Sequence, residues 1–442
     1  MTSCCSPCLH PQIQASEDGA GLTRLPAAAA SLPDSDDLLW EILLRLPPQP
    51  SSLPRASAVC KRWRGILTDP KFHRQFYAHH QKAPLLGFFS WSCQDIKFIP
   101  ILDPPDSLPP QRFDLGPNGN SNSGRHSSML DCRHGLVLIK HELRKAVAVC
   151  DPITGEHYHV AVPPDFDLFH LKGAVLCAAT ELGHVHGGCH SSPFKVVLLS
   201  KCKQDNRQIA CVYSSETGLW GNLISREAWC VLLAKPPVLI GNCLYWLSTS
   251  EDILEFDLDE NTLSGIMGPP DTIDTVHANR QIIQAEDGDL GYAVLSYLRF
   301  QISDRNVNAH GVSTWMPWKT IEMHPILGLL SQKEGVWGQL LGVSQHEWHP
   351  MSGKLKAKHI SVYMVHIKSM QSNKLYKTLR TNALYYSFKS FYTPGDGMAA
   401  AVLTESVALH LGGGQCLYFL PCLSIAKFSN IVICSEYLIV GI

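Results

Sequence analysis

The stretch HGLVLIKHELRKAVAVCDPITGEHYHV, from His134 to Val160, decides the fold. Its two apolar runs, Gly135–Lys140 and Ala146–Asp151, flank a polar turn. Runs of that length, rich in Val, Ile and Leu and bounded by turn residues, are strands. The pattern returns as FKVVLLSKCKQDNRQIACVYSSETGLWGNLI (Phe194–Ile224) and as PVLIGNCLYWLSTSEDILEFDLDENTLSGI (Pro237–Ile266). In each, the second strand runs into Asp or Ser, followed by Thr-Gly or Asn-Thr. The turn threonines Thr154, Thr217 and Thr262 are 63 and 45 residues apart. Weaker copies fit at Gly291–Ile321, with Trp315 after the turn, and at Ile360–Leu379. Multi-stranded units repeating at this interval are the signature of propeller blades. One such unit cannot bury both faces alone, so neighbours must stack. Residues 85–395 are therefore expected to form an antiparallel, propeller-like domain of about five to seven sheets.

Outward from the repeats, the texture changes. Leu38, Leu39, Ile42, Leu43 and Leu46 make a helical stripe, with Asp34 placed to cap it and Asp36 and Asp37 in its first turn. Pro47-Pro48 ends it. Leu53, Ala56, Val59, Cys60, Trp63, Ile66 and Leu67 make a second stripe, closed by Asp69-Pro70, with a further turn of helix through Phe72 to Tyr77. A helical unit of about 45 residues is too small for a comfortable core of its own. Residues 1–31 lack periodicity and read as a disordered tail; Cys5 and Cys8 have the spacing of a metal pair, but no second pair succeeds them. Residues 396–442 read as an atypical C-terminal tail. Ser406–Ala426 carries no formal charge, but Gly412–Gly414 and Pro421 favour strand and turn over a membrane span.

Composition excludes several classes. The 442 residues carry 37 Lys and Arg against 39 Asp and Glu, a formal charge of −2, which leaves no whole-chain basic footprint for nucleic acid. With 45% hydrophobic and 17% charged residues, the chain can build a sizeable core. The sixteen cysteines are scattered, with several inside apolar runs; the first 25 residues have no leader pattern, and no Asn-x-Ser/Thr acceptor occurs. A reducing cytoplasmic or nuclear setting is expected, with no nucleic-acid partner and no membrane.

Catalytic motifs are missing: there is no phosphate loop, no Gly-x-Gly-x-x-Gly, no Gly-x-Ser-x-Gly and no His-Glu-x-x-His. His346-Glu347-Trp348-His349 has its histidines three apart, and Pro350 comes next. His184-Val185-His186-Gly187-Gly188-Cys189-His190 offers four N/S ligands within seven residues. It also reads as a polar loop between strands at Ala174–Ala179 and Lys195–Ser200, with Gly187 and Gly188 at the turn. The loop reading is preferred, and no metal, cofactor or catalytic residue is expected. Between Arg55 and Lys82, seven cations (Arg55, Lys61, Arg62, Arg64, Lys71, Arg74, Lys82) face one acid, Asp69. That face suits an acidic protein surface.

The order Leu32-Pro33-Asp34, LLWEILLRL at Leu38–Leu46, Leu53-Pro54-Arg55 and VCKRWR at Val59–Arg64 resembles the F-box, with Ser35-Asp36 lengthening its entry turn. The chain beyond the box resembles the plant F-box proteins with a C-terminal β-propeller-like associated domain. The residues that carry this are AHHQKAPLLGFF (Ala78–Phe89), DCRHGLV (Asp131–Val137), CDPITG (Cys150–Gly155), CHSSPFKVV (Cys189–Val197), CVYSSETG (Cys211–Gly218), NCLYWL (Asn242–Leu247), ILEFDL (Ile253–Leu258) and SFYTPG (Ser390–Gly395). Gly335–Lys358 and Met398–Ile442 depart from the pattern. The resemblance implies an α+β multidomain chain: a small all-α, three-helix F-box at 32–82, then a mainly antiparallel all-β, propeller-like domain at 85–395. It implies the substrate-recognition subunit of an SCF-type ubiquitin ligase, not an enzyme. The F-box would dock on a Skp-type adaptor through Leu32, Pro33, Leu38, Ile42, Leu43, Leu53, Val59, Cys60 and Trp63, and the β domain would hold a substrate protein. A ligase-independent scaffold and a propeller enzyme are the alternatives.

Overall fold

The computed structural model describes residues 35–92, 95–113, 115, 127–179, 183–190, 192–205, 207–227, 230–249, 252–269, 279–285, 287–296, 299–307, 313–327, 360–366, 371–378, 384–392, 431–434 and 437–441. Two compact units divide at Leu43/Leu44. The readings placed on residues 1–34, His346–His349, Gly335–Lys358 and Ser406–Ala426 lie outside the described residues.

Among the described residues four helices come first: α1 (Asp36–Leu44), α2 (Ser52–Ser57), α3 (Lys61–Leu67) and α4 (Pro70–His80). Asp36 and Asp37 sit in the first turn of α1, where the helix dipole favours negative charge. The second sequence stripe is broken in two because Cys60 is extended, at φ −161°. Its Sγ accepts from the Trp63 amide at 3.5 Å and restarts the helix as a cap. The short turn expected after Asp69 is a full eleven-residue helix. Asp69 Oδ1 accepts from the Lys71 amide at 2.8 Å, and Pro70 occupies the first turn, where its missing N–H costs nothing. Gln81, at φ +62°, donates its amide to the Tyr77 carbonyl and ends α4.

An all-β, propeller-like domain comes after the helices. β1 (Leu85–Ser92) and β2 (Asp95–Pro100) form a hairpin. β3 (Ser127–Arg133), β4 (Leu136–His141), β5 (Ala146–Cys150) and β6 (His157–Ala161) make an antiparallel meander. β7 (Lys172–Cys177), β8 (Phe194–Lys201), β9 (Gln208–Ser214) and β10 (Leu219–Trp220) repeat it, with β11 (Ile224–Arg226) added on β9. β12 (Val238–Ile240), β13 (Cys243–Leu247), β14 (Ile253–Asp257) and β15 (Thr262–Ile266) form the next sheet. β16 (Asn279–Gln284), β17 (Leu290–Ser296), β18 (Arg299–Val307) and β19 (Ser313–Glu322) form another, ending in the short α5 (Met323–Ile326).

The remaining pairings are non-local. β20 (Ile360–His366) and β21 (Ser372–Thr378) are neighbours in sequence, and β22 (Leu384–Lys389) leaves them to pair with β1. β23 (Ile431–Cys434) and β24 (Tyr437–Gly441), from the segment read as an atypical tail, complete the sheet in the order β21-β20-β24-β23. The β1–β22 ladder joins the end of the domain to its beginning in one sheet.

Burial explains the strand spacing. β4 and β5 are buried along their whole length, whereas the outer β6 is exposed at all but Val160. Such inner strands need apolar residues on both faces, because each sheet packs against the next. Leu138, Val147 and Val149 meet Val175, Val196 and Leu198 from the neighbouring sheet. Val197 and Leu199 meet Leu244, Trp246 and Phe256 in turn. Phe89, Phe98, Phe113 and Phe388 pack ring on ring around the β1–β22 seam, with centroids 4.2–6.3 Å apart.

The repeated turn has one geometry. Asp151, Ser214 and Asp257 open it, and the residue four positions on is left-handed: Gly155 at φ +79°, Gly218 at +70° and Asn261 at +52°. The opening carboxylates cap their own turns. Asp151 Oδ1 accepts from the Ile153 amide, and Asp257 Oδ1 from the Asp259 and Glu260 amides, all at 2.9 Å. The residue matching Thr154 and Thr217 is therefore Glu260, and Thr262 already begins β15.

Candidate functional site

The candidate docking residues are distributed unevenly. On α1, Leu38 is 53% exposed and Ile42 41%, while Leu39 and Leu43 are buried. In the second unit Leu53 is buried, Val59 is 57% exposed, Cys60 is exposed and Trp63 is half-buried. Leu43 and Leu53 are buried, so the exposed apolar candidates are Leu38, Ile42 and Val59. The helical stripe alone does not separate buried from exposed positions, because both are written in the same apolar residues. Leu32 and Pro33 lie outside the described residues. The seven cations from Arg55 to Lys82 are all exposed.

Helix α4 is seated on the β domain. Phe72 and Phe76 are buried and stacked on each other at 5.9 Å. Tyr77 stacks on Phe391, just beyond β22, with centroids 4.4 Å apart and planes 22° from parallel. Gly187 and Gly188, in the β7–β8 loop, lie under this helix end. A Cβ at Gly188 would meet the Tyr77 ring, and one at Gly187 would meet the Ala83 methyl. Gly187 is also at φ +101°, so the close approach and the backbone both require glycine. Its carbonyl accepts from the Phe391 amide at 2.8 Å and from Ser390 Oγ at 2.9 Å.

The same loop carries the histidines and cysteines singled out in the sequence, in a changed set. His190 is directed away: its Nδ1 meets Asp151 Oδ2 at 2.8 Å. Burial alone would raise the Asp151 carboxyl, but the His190 contact and the turn amides offset it and hold it below the ordinary carboxylate range. Cys177, the last residue of β7, takes the vacated place. Cys177 Sγ lies 3.3 Å from His184 Nε2, which lies 3.3 Å from Cys189 Sγ, and His186 Nδ1 lies 3.7 Å from Cys189 Sγ. One ligand atom from each of these four residues lies within 4.8 Å of all the others. A hydrogen bond from Cys189 holds the Cys177 thiol below its ordinary range, and donating it holds Cys189 above.

His134 backs the cluster. Its ring stacks on His186 with centroids 3.7 Å apart and planes 12° from parallel. Burial, with a smaller part from repulsion by His186, Arg133 and His184, pushes the His134 imidazole down to about 2. It is therefore neutral, and its Nδ1 accepts from the Cys177 amide at 3.1 Å. Cys177 and His134 lay outside the seven-residue window read from the sequence. Their signal is long-range, in that β7 runs beside β3.

No helix among the described residues is long and apolar enough to cross a membrane.

Comparison with known proteins divides along the two parts of this architecture. Residues 29–79 match the family described as F-box-like, and residues 128–392 match the one described as F-box protein AT5G49610-like, beta-propeller. F-box protein At3g28330 of Arabidopsis thaliana is 26% identical over 243 residues, 49% of this chain and 54% of that protein. F-box protein At5g07610, also of Arabidopsis thaliana, is 35% identical over 72 residues, 16% of this chain and 17% of that one. The chain thus spans about half the length of the first of these relatives and a smaller part of the second. Among solved structures, Kluyveromyces lactis Hsv2p aligns at a TM-score of 0.31 and 12% identity, covering 54% of this chain and 71% of that one. With helices at 36–80, a propeller-like β domain behind them and a match that runs over well more than half the residues, the chain belongs to the AT5G49610-like family of F-box β-propeller proteins.

Proposed function

We propose that this F-box protein is the substrate-recognition subunit of an SCF-type ubiquitin ligase, without catalytic activity of its own. The helical segment would dock on a Skp-type adaptor, and the β domain would hold the protein to be modified. The observation that carries this reading is the F-box-like match at 29–79 on helices that keep large apolar side chains in solvent, Leu38 and Ile42 on α1 and Val59 between α2 and α3. In this reading they are the side chains that the adaptor would cover. The exposed cations from Arg55 to Lys82 would steer the approach to an acidic partner. The contribution to the reaction would be proximity, a raised effective concentration of substrate lysines near the conjugating enzyme.

The test is calorimetric titration of a Skp-type adaptor onto the full chain. Wild type should bind. Ile42→Asp should weaken binding at least tenfold while leaving the circular dichroism spectrum unchanged, because Ile42 is exposed. Trp63→Ala should cost roughly 2 kcal/mol, about thirtyfold, and Arg64→Ala much less. A folded wild-type chain without affinity for any such adaptor overturns the reading in favour of a ligase-independent scaffold. Proximity labelling with the Ile42→Asp chain, which would retain its substrates, identifies the proteins held by the β domain.

A further inference from the structure

We propose that Cys177, His184, His186 and Cys189 bind one zinc ion, a structural site that pins the β7–β8 loop beneath helix α4. Zinc takes cysteine sulfur at about 2.3 Å and histidine nitrogen at about 2.0–2.1 Å in tetrahedral array, which sets neighbouring ligand atoms about 3.3–3.8 Å apart. The three contacts in the cluster, 3.3, 3.3 and 3.7 Å, have these separations. All four ligand atoms lie within 4.8 Å of one another. An S2N2 donor set in tetrahedral array suits zinc and disfavours magnesium or calcium, for which thiolate is a poor partner. Two thiolates also neutralise the ion, which suits a place where Cys189 is buried and Cys177 and His184 are half-buried. Four protein ligands leave no open coordination position, the arrangement of a structural site rather than a catalytic one. His186, on the solvent side, provides the way in.

The surroundings are arranged as a support for such ligands. His134 accepts from the Cys177 amide and stacks on His186, fixing one ligand from each side of the cluster. His190, tied to Asp151, anchors the chain immediately after Cys189. The consequence is mechanical. The ion would join the end of β7 to the loop whose Gly187 carbonyl receives Ser390 and Phe391 and whose Gly188 abuts Tyr77. It would thereby hold the seat of α4. This inference does not depend on adaptor binding or on ligase function.

The full chain, purified without chelator and dialysed against zinc and then against buffer, should retain about one zinc per chain by mass spectrometry of the metal. Cobalt in its place should give a tetrahedral visible spectrum with a sulfur-to-cobalt charge-transfer band. The double variant Cys177→Ser, Cys189→Ser should lose zinc at least tenfold, and Cys243→Ser should keep it. Should the double variant fail to fold, alkylation mapping of wild type decides: Cys177 and Cys189 should be shielded with zinc and labelled after chelation. A wild-type chain that retains no zinc, a double variant that keeps it, labelling indifferent to chelation, or a Cys177–Cys189 disulfide in the peptide map each overturns the proposal.

Discussion

Lys235 is a cation held in the interior at an electrostatic cost. Burial, with Arg280 nearby adding repulsion, pushes its ammonium down to about 7, and its Nζ donates to the Arg280 carbonyl. Between pH 7 and the ordinary lysine value of about 10.4 the unfolded chain holds a proton that the folded chain lacks. Folding is therefore disfavoured by this residue at neutral pH, and its share of stability rises with pH across that window. Lys235→Met, similar in length and uncharged, should raise stability by roughly 1–3 kcal/mol at pH 7.5, offset in part by the lost hydrogen bond. The gain should shrink towards zero by about pH 10.5. Urea denaturation of both chains across this range checks it; a gain that is constant with pH would place its cause in packing.

Among the elements, the repeated turn is the most informative. Gly155, Gly218 and Asn261 occupy one left-handed position in three successive sheets. Space is not the constraint at Gly218, where an added Cβ meets nothing within 4 Å. The cost of a side chain there is conformational, about 1–2 kcal/mol for a residue that avoids positive φ. Gly218→Val should lower stability by that amount, and Gly218→Asn by much less, as Asn261 already shows the tolerance; the two denaturation midpoints decide. The capping of α4 allows a second check. Asp69→Ala removes an acceptor from the Lys71 amide and should cost about 1 kcal/mol.

This scale also marks where sequence reading succeeds and where it stops. Strands β4, β5, β8 and β13 are legible because strands buried on both faces are written as continuous apolar runs. The turn register slips by two residues at Thr262, since threonine suits a strand start as well as a turn and the left-handed Asn261 carries no apolar signal. The cysteine–histidine cluster is half legible. His184, His186 and Cys189 are close in sequence, but Cys177 arrives from the strand before them, and His190 is withdrawn by an aspartate 39 positions earlier. Pairings of that span depend on the closed fold, not on local spacing. The joining of β23 and β24 to β20 is hidden for the same reason.

For the molecule as a whole, the β1–β22 ladder determines how the β domain unfolds. Phe388 is fully buried at this seam, in contact with Phe89, Phe98 and Phe113. Phe388→Ala should cost about 3–5 kcal/mol. Because the seam joins the first and last strands of 85–389, the loss should appear as one earlier cooperative transition, seen equally by tryptophan fluorescence and far-ultraviolet dichroism. Two separated transitions would show that the sheets melt independently of closure.

The stacking of Tyr77 on Phe391 has a further consequence during synthesis. The ribosome delivers Tyr77 more than three hundred residues before its partner ring, and elongation at about 5–20 residues per second puts roughly 15–60 s between them. Throughout that interval the nascent chain has helix α4 without the Phe391 side of its seat and β1 without β22, so the first hairpin presents an unpaired edge to solvent. Such a chain is a natural client for co-translational chaperones. Its yield should therefore fall with slower translation or chaperone depletion well before any change in the finished protein's stability is measurable.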